Sequence, residues 1–101
     1  MTPVKSLNHV GIAVRSIEAQ RPYYEETLGA VFEGCEEVIS QKVRVAFFRV
    51  GEIRLELLEP LDATSSVTKF LDTRGEGLHH LAYTVEDISS RIAELQESGL
   101  K

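Results

Sequence analysis

The chain has 101 residues, a length that suits one domain with a modest hydrophobic core. Its net charge is −5 and no cluster of lysine or arginine stands out, which disfavours nucleic acid as a partner because phosphate contacts need concentrated positive charge. The single cysteine, Cys35, excludes a disulfide framework within the chain and argues against a cysteine-based zinc site.

No apolar run is long enough to cross a bilayer, and residues 1–7 hold no apolar stretch of signal-peptide type. A cytoplasmic or organelle-matrix setting, mitochondrial in a eukaryote, with no membrane partner is the expectation.

In chain order, residues 7–14 (LNHVGIAV) have the apolar content of a strand. Ser16 is placed to cap a helix over 17–28, with Ile17, Tyr24 and Leu28 near one face and Gly29 as its stop. Pro22 is out of place there, since an interior proline loses a backbone hydrogen bond and should kink or split the helix. Three strands follow over 30–38, 43–50 and 53–59, the last two joined by a tight turn at Gly51-Glu52. Cys35 falls in the first of them with no base nearby in sequence, and reads as a structural thiol rather than a nucleophile. In the second, Val43, Val45 and Phe47 alternate with Arg44 and Ala46, the pattern of a half-buried strand. In the third, Arg54, Glu56 and Leu58 share one face and Leu55 and Leu57 the other, and Pro60 ends it. Residues 65–73 read as a short helix with Val67, Phe70 and Leu71 inward, and Gly75-Glu76-Gly77 as a loop. Residues 78–85 (LHHLAYTV) form another strand, and Asp87 caps a helix over 88–98 that buries Ile88, Ile92 and Leu95 and stops at Gly99.

The two strand–helix units align at an offset of 71 residues. Leu7 matches Leu78, His9 matches His80, Val14 matches Val85, Ser16 matches Asp87 and Ile17 matches Ile88. A repeat of this kind marks two copies of one structural unit. The first copy reads βαβββ and the second, as far as this sequence runs, βα. By symmetry the second copy needs roughly 30 further residues for its own three strands. The expectation is therefore a unit completed by further chain or by a partner, and inactive as these residues alone.

His9 and His80 each sit in the first strand of a copy, and a pseudo-twofold axis would bring those strands together. Two facing imidazoles suit a metal ion, and Glu56, from the last strand of the first copy, is a third ligand candidate. The same symmetry puts a fourth near position 127, beyond this sequence, as the Glu56 position advanced by about one repeat. Two histidines with one or two carboxylates suit a borderline divalent ion. His79 should point to the opposite strand face from His80, toward packing or capping; Asn8 is its counterpart in the first copy.

These residues resemble the vicinal-oxygen-chelate superfamily of glyoxalases, bleomycin-resistance proteins and dioxygenases, and within it the methylmalonyl-CoA epimerases. The segments that carry the likeness are LNHVGIAV with its helix, YYEETLGA, VRVAFFRVGEIRLELLEPL and SSVTKFLDTRGEGLHHLAYTVEDI. LNHVGIAV is a superfamily signal, while ELLEPL and GEGLHHLAYTV are closer to the epimerases. The resemblance implies an α+β fold of paired βαβββ modules in one glyoxalase-like domain. The first module covers about residues 5–60, a connecting helix 64–74, and the incomplete second module starts at 78. It implies Co²⁺, Mn²⁺ or Zn²⁺ held by His9, Glu56 and His80, with a last glutamate in a stretch this sequence lacks. It further implies an acyl-CoA substrate, a homodimer, and interconversion of the two methylmalonyl-CoA epimers by removal and return of the α-proton through a stabilised enolate. The family's acid–base carboxylates have no match on the strand 43–50, which carries Val45 and Phe47, so the catalytic residues stay unassigned. Lys5, Arg54, Lys69 and Arg74 are candidates for the coenzyme A tail, each equally readable as a plain solvated charge.

Three rivals use the same frame. A glyoxalase I-type lactoylglutathione lyase shares fold and ligands, but the GLHHLAY and ELLEPL segments favour the epimerase. An iron(II) extradiol dioxygenase uses two histidines and a glutamate, in much longer chains. A ligand-binding member without activity is disfavoured by the retained set His9, Glu56 and His80.

Overall fold

The computed structural model describes residues 5–85. Strand β1 (Ser6–Ala13) leads into helix α1 (Ile17–Pro22), which runs on as a π-helical turn (Tyr23–Thr27). Strand β2 (Val31–Val38), a short 3-10 turn (Ile39–Gln41), strand β3 (Val43–Val50), strand β4 (Ile53–Pro60), helix α2 (Ser66–Arg74) and strand β5 (Gly77–Thr84) follow. The architecture is α+β, as the patterning and the resemblance imply. The helix expected over 88–98 lies outside the described residues.

Local chemistry accounts for the boundaries. The Ser16 hydroxyl accepts from the Ala19 amide at 3.2 Å and caps α1. Pro22 does split that helix. Its missing amide breaks the regular ladder, and the next turn is wider, with the Leu28 amide bonded five residues back to the Tyr23 carbonyl at 3.0 Å. Ser65 caps α2 in the same manner as Ser16, on the Val67 amide. Gly51 takes a positive φ of 59° in the two-residue turn between β3 and β4, where Val50 pairs with Ile53.

The five strands form one sheet in the order β2-β3-β4-β1-β5. β2, β3 and β4 are an antiparallel meander, β4 runs parallel to β1, and β5 lies antiparallel on the other side of β1. The first strands of the two copies are thus direct neighbours, running in opposite directions as a twofold relation requires. Both faces of the sheet are packed. Val14, Ile17, Tyr24, Ala30, Ala46, Phe48 and Leu57 form the core beneath α1. Ala13, Val43, Val45, Leu58, Val67 and Leu71 form a second core beneath α2.

That double packing corrects the reading of β3 as half-buried. Ala46 and Phe48, on the face they share with the part-exposed Arg44, are 0% exposed, and Val43 and Val45 are buried on the other. Cys35 lies in β2 as expected, but its thiol is free and exposed, not part of either core.

Candidate metal centre

The geometry of the site follows from strand register. His9 and Gly11 lie two apart on β1 and share a face. In the parallel pair, Gly11 stands opposite Glu56 of β4; in the antiparallel pair it stands opposite His80 of β5. Gly11 is therefore flanked by two ligand-type side chains and puts nothing between them. A Cβ at that position would overlap the His80 imidazole, so the ring occupies the space the glycine leaves.

The three residues singled out from the sequence come together. His9, Glu56 and His80 each offer one ligand atom, all within 4.8 Å of one another, a grouping that could hold a metal ion. The two Nε2 atoms are 3.2 Å apart, with the rings perpendicular and their centroids at 5.2 Å. The side chains of His9 and Glu56 are 19% and 12% exposed, and His9 Nδ1 lies 3.6 Å from Glu56 Oε2. The donor set fits a borderline divalent ion. Two nitrogens bound at about 2.0–2.1 Å to one ion stand about 2.8–3.4 Å apart for angles between octahedral and tetrahedral, which brackets the spacing present.

His79 is where sequence reasoning failed. It was expected on the opposite face of β5, yet its Nδ1 is 2.9 Å from the Nδ1 of His80, and both rings line the same cavity. The reason is a bulge. One step along β1, from Gly11 to Ile12, is matched by two steps along β5, from His80 to Leu78, so His79 is an extra residue outside the strict alternation. Its packing role was foreseen and is present: the ring meets Phe70 of α2 edge-on at 4.9 Å. Burial, and after it the neighbouring His80, hold the His79 imidazole below its ordinary pKa.

The cavity beside the three ligand candidates has a volume of about 700 Å³. Val45, Phe47 and Leu58 give it an apolar wall, and Glu56, His79 and His80 give it a polar end. β3 contributes Val43, Val45 and Phe47 to it and no carboxylate. Of the basic residues considered for an anionic tail, Arg54 sits at the site, its Nε donating to Glu56 Oε2 at 3.2 Å and its guanidinium over the Phe47 ring. None of Lys5, Arg54, Lys69 and Arg74 lines the cavity itself; Lys42, unmarked in the sequence, does. It adopts a left-handed backbone with φ 57° after the 3-10 turn, a conformation its residue type does not announce, and its ammonium donates to Thr64 Oγ1.

A profile of the glyoxalase/bleomycin resistance protein/dioxygenase superfamily matches residues 8–101. The chain belongs to this superfamily. Within it, 95 residues are 47% identical to an uncharacterized Bacillus subtilis protein, YqjC, covering 94% of this chain and 68% of that protein. The ethylmalonyl-CoA/methylmalonyl-CoA epimerase of Cereibacter sphaeroides is 38% identical over 94% of this chain and 72% of its own length. The methylmalonyl-CoA epimerase of Streptomyces coelicolor, solved as a variant with 2-nitronate-propionyl-CoA, superposes with a TM-score of 0.86 at 30% identity, covering 98% of this chain and 73% of that one. The glyoxalase-like fold implied by the resemblance is thereby shared with solved members of the superfamily. Among the described residues no helix is long and apolar enough to cross a membrane.

Proposed function

We infer that this protein is a metal-dependent epimerase of a 2-alkylmalonyl-CoA, methylmalonyl-CoA first, with His9, Glu56 and His80 as ligands of a divalent ion such as Co²⁺, Mn²⁺ or Zn²⁺. The observation that carries the reading is the convergence of these side chains on one face of β4, β1 and β5, in a chain 38% identical to an ethylmalonyl-CoA/methylmalonyl-CoA epimerase.

The difficulty of such a reaction is the acidity of the α-carbon. A divalent ion bound by these three residues would supply Lewis-acid stabilisation of the negative charge that develops as the α-proton leaves. The chain's own residues provide the setting. Val45, Phe47 and Leu58 exclude water from one side of the cavity, which strengthens every charge interaction within it. Phe47 also supports Arg54 from below, and Arg54 holds one carboxylate oxygen of Glu56, fixing that side chain toward the histidines. The cavity is large enough for the acyl head of a thioester, and Lys42 gives its lining a cation that an anionic substrate can meet. β3 turns Val43, Val45 and Phe47 to the cavity and supplies no group to take and return the proton.

The test is α-proton exchange in the protein made from its own gene. With Co²⁺ in D₂O, the methyl doublet of methylmalonyl-CoA is expected to collapse as deuterium enters, and a chelator should stop the collapse. Turnover of the methylglyoxal–glutathione hemithioacetal without exchange of methylmalonyl-CoA would replace the epimerase by a glyoxalase.

A further inference from the structure

The two bulges in the β1–β5 ladder are related by the internal repeat. Between β1 and β5, the step from Leu7 to His9 is matched by the single step from Tyr83 to Ala82, so Asn8 is the extra residue on β1. His79 is the extra residue on β5. Asn8 and His79 occupy matching places in the two copies, 71 residues apart, each directly before a ligand histidine. A bulge suspends the alternation of side chains, so a residue next to a ligand can turn its own side chain to that ligand's ring.

Both do so. His9 Nδ1 is 2.8 Å from Asn8 Oδ1, and His80 Nδ1 is 2.9 Å from His79 Nδ1. The Asn8 amide is itself tied across the sheet, its Nδ2 donating to Thr84 Oγ1. A carbonyl oxygen can only accept, so the His9 ring carries its hydrogen on Nδ1 and keeps a lone pair on Nε2. For His80 to present Nε2 likewise, its Nδ1–H must donate to His79 Nδ1, and His79 must carry its own hydrogen on Nε2.

We propose that Asn8 and His79 are the positioning residues of the two ligand histidines, each holding its neighbour by Nδ1 so that the two Nε2 atoms face one ion. The inference rests on the metal reading above and extends it to the residues that set ring orientation and tautomer. Hydrogen-bond partners of this kind typically change metal affinity 10- to 100-fold when removed. Phe70, packed on His79, and Gly11, beneath His80, complete the support of the second ring.

The experiment is a Co²⁺ titration of the protein made from its own gene, followed by visible absorption, with four variants. His79→Phe keeps a ring against Phe70 and removes the acceptor; His79→Asn restores an acceptor at the Nδ1 position. Asn8→Ala and Asn8→Asp form the matching pair on β1. His79→Phe and Asn8→Ala should bind about 10- to 100-fold more weakly, with His79→Asn and Asn8→Asp returning close to the parent. Equal affinity in His79→Phe, or His79→Asn as weak as His79→Phe, would overturn the proposal while leaving the metal reading intact. Failure of the parent to bind Co²⁺ would bring down the metal reading itself. Should a variant not fold, ¹⁵N NMR of the Zn²⁺-loaded parent decides: His79 hydrogen-bearing at Nε2 supports the proposal, and at Nδ1 contradicts it.

Discussion

At Gly11 the backbone of β1 passes beneath the His80 imidazole, and the glycine's missing side chain is what lets that ring reach the position beside His9. Replacing Gly11 by alanine should push the ring aside without breaking the β1–β5 pairing. Co²⁺ affinity is expected to fall about 10- to 100-fold with the circular dichroism spectrum unchanged, since the loss is one of ring placement. Unchanged affinity would mean that His80 is not a ligand. Residue by residue, the ligand candidates were legible because histidine and glutamate announce their chemistry and because the repeat fixed which histidines match. Gly11 and His79 were not legible in these roles. A glycine in a strand does not say what fills its space, and a bulge adds one residue to a strand without altering the hydrophobic pattern that reveals the strand.

Among elements, α1 and β3 show how far pattern reading carries. Pro22 announced a break in its helix, but not the form of the break, a π-helical turn in which Tyr24 packs against Phe48. β3 was found over its full length, yet its burial was misjudged because Arg44 and Ala46 look compatible with water. Arg44 pairs across the strands with Glu37 of β2 and Glu59 of β4, while Ala46 and Phe48 lie under α1. Glu59 links the two layers, one oxygen taking the Ile17 amide at the start of α1 and the other Arg44. Among the described residues Phe48 is the largest side chain with no exposure, in contact with Tyr24 and Phe32. Phe48→Ala should cost about 3–5 kcal/mol in urea unfolding, by the loss of buried area and the cavity left behind. A loss below about 1 kcal/mol would show that the core beneath α1 collapses around the gap or does not exist as described.

For the whole molecule, the internal repeat is the organising fact. It predicts neighbouring first strands, which the β1–β5 ladder supplies, and it predicts histidines that meet, which the 3.2 Å between their Nε2 atoms supplies. The chain spans 68% and 72% of the two bacterial relatives compared with it. The cavity, the membership of the glyoxalase/bleomycin resistance protein/dioxygenase superfamily and the ligand grouping then converge on one centre. What the sequence could not convey at this scale was the cavity itself, because its lining comes from β3, β4, β5 and the segment around α2, and only the folded sheet assembles them. The measurement closest to the centre of this account is X-ray absorption of the Co²⁺-loaded protein. Two imidazole nitrogens with carboxylate oxygen in the inner coordination sphere, reduced to one imidazole in His9→Ala and in His80→Ala, is the expected result. A coordination sphere without imidazole, or one unchanged by either substitution, would contradict it.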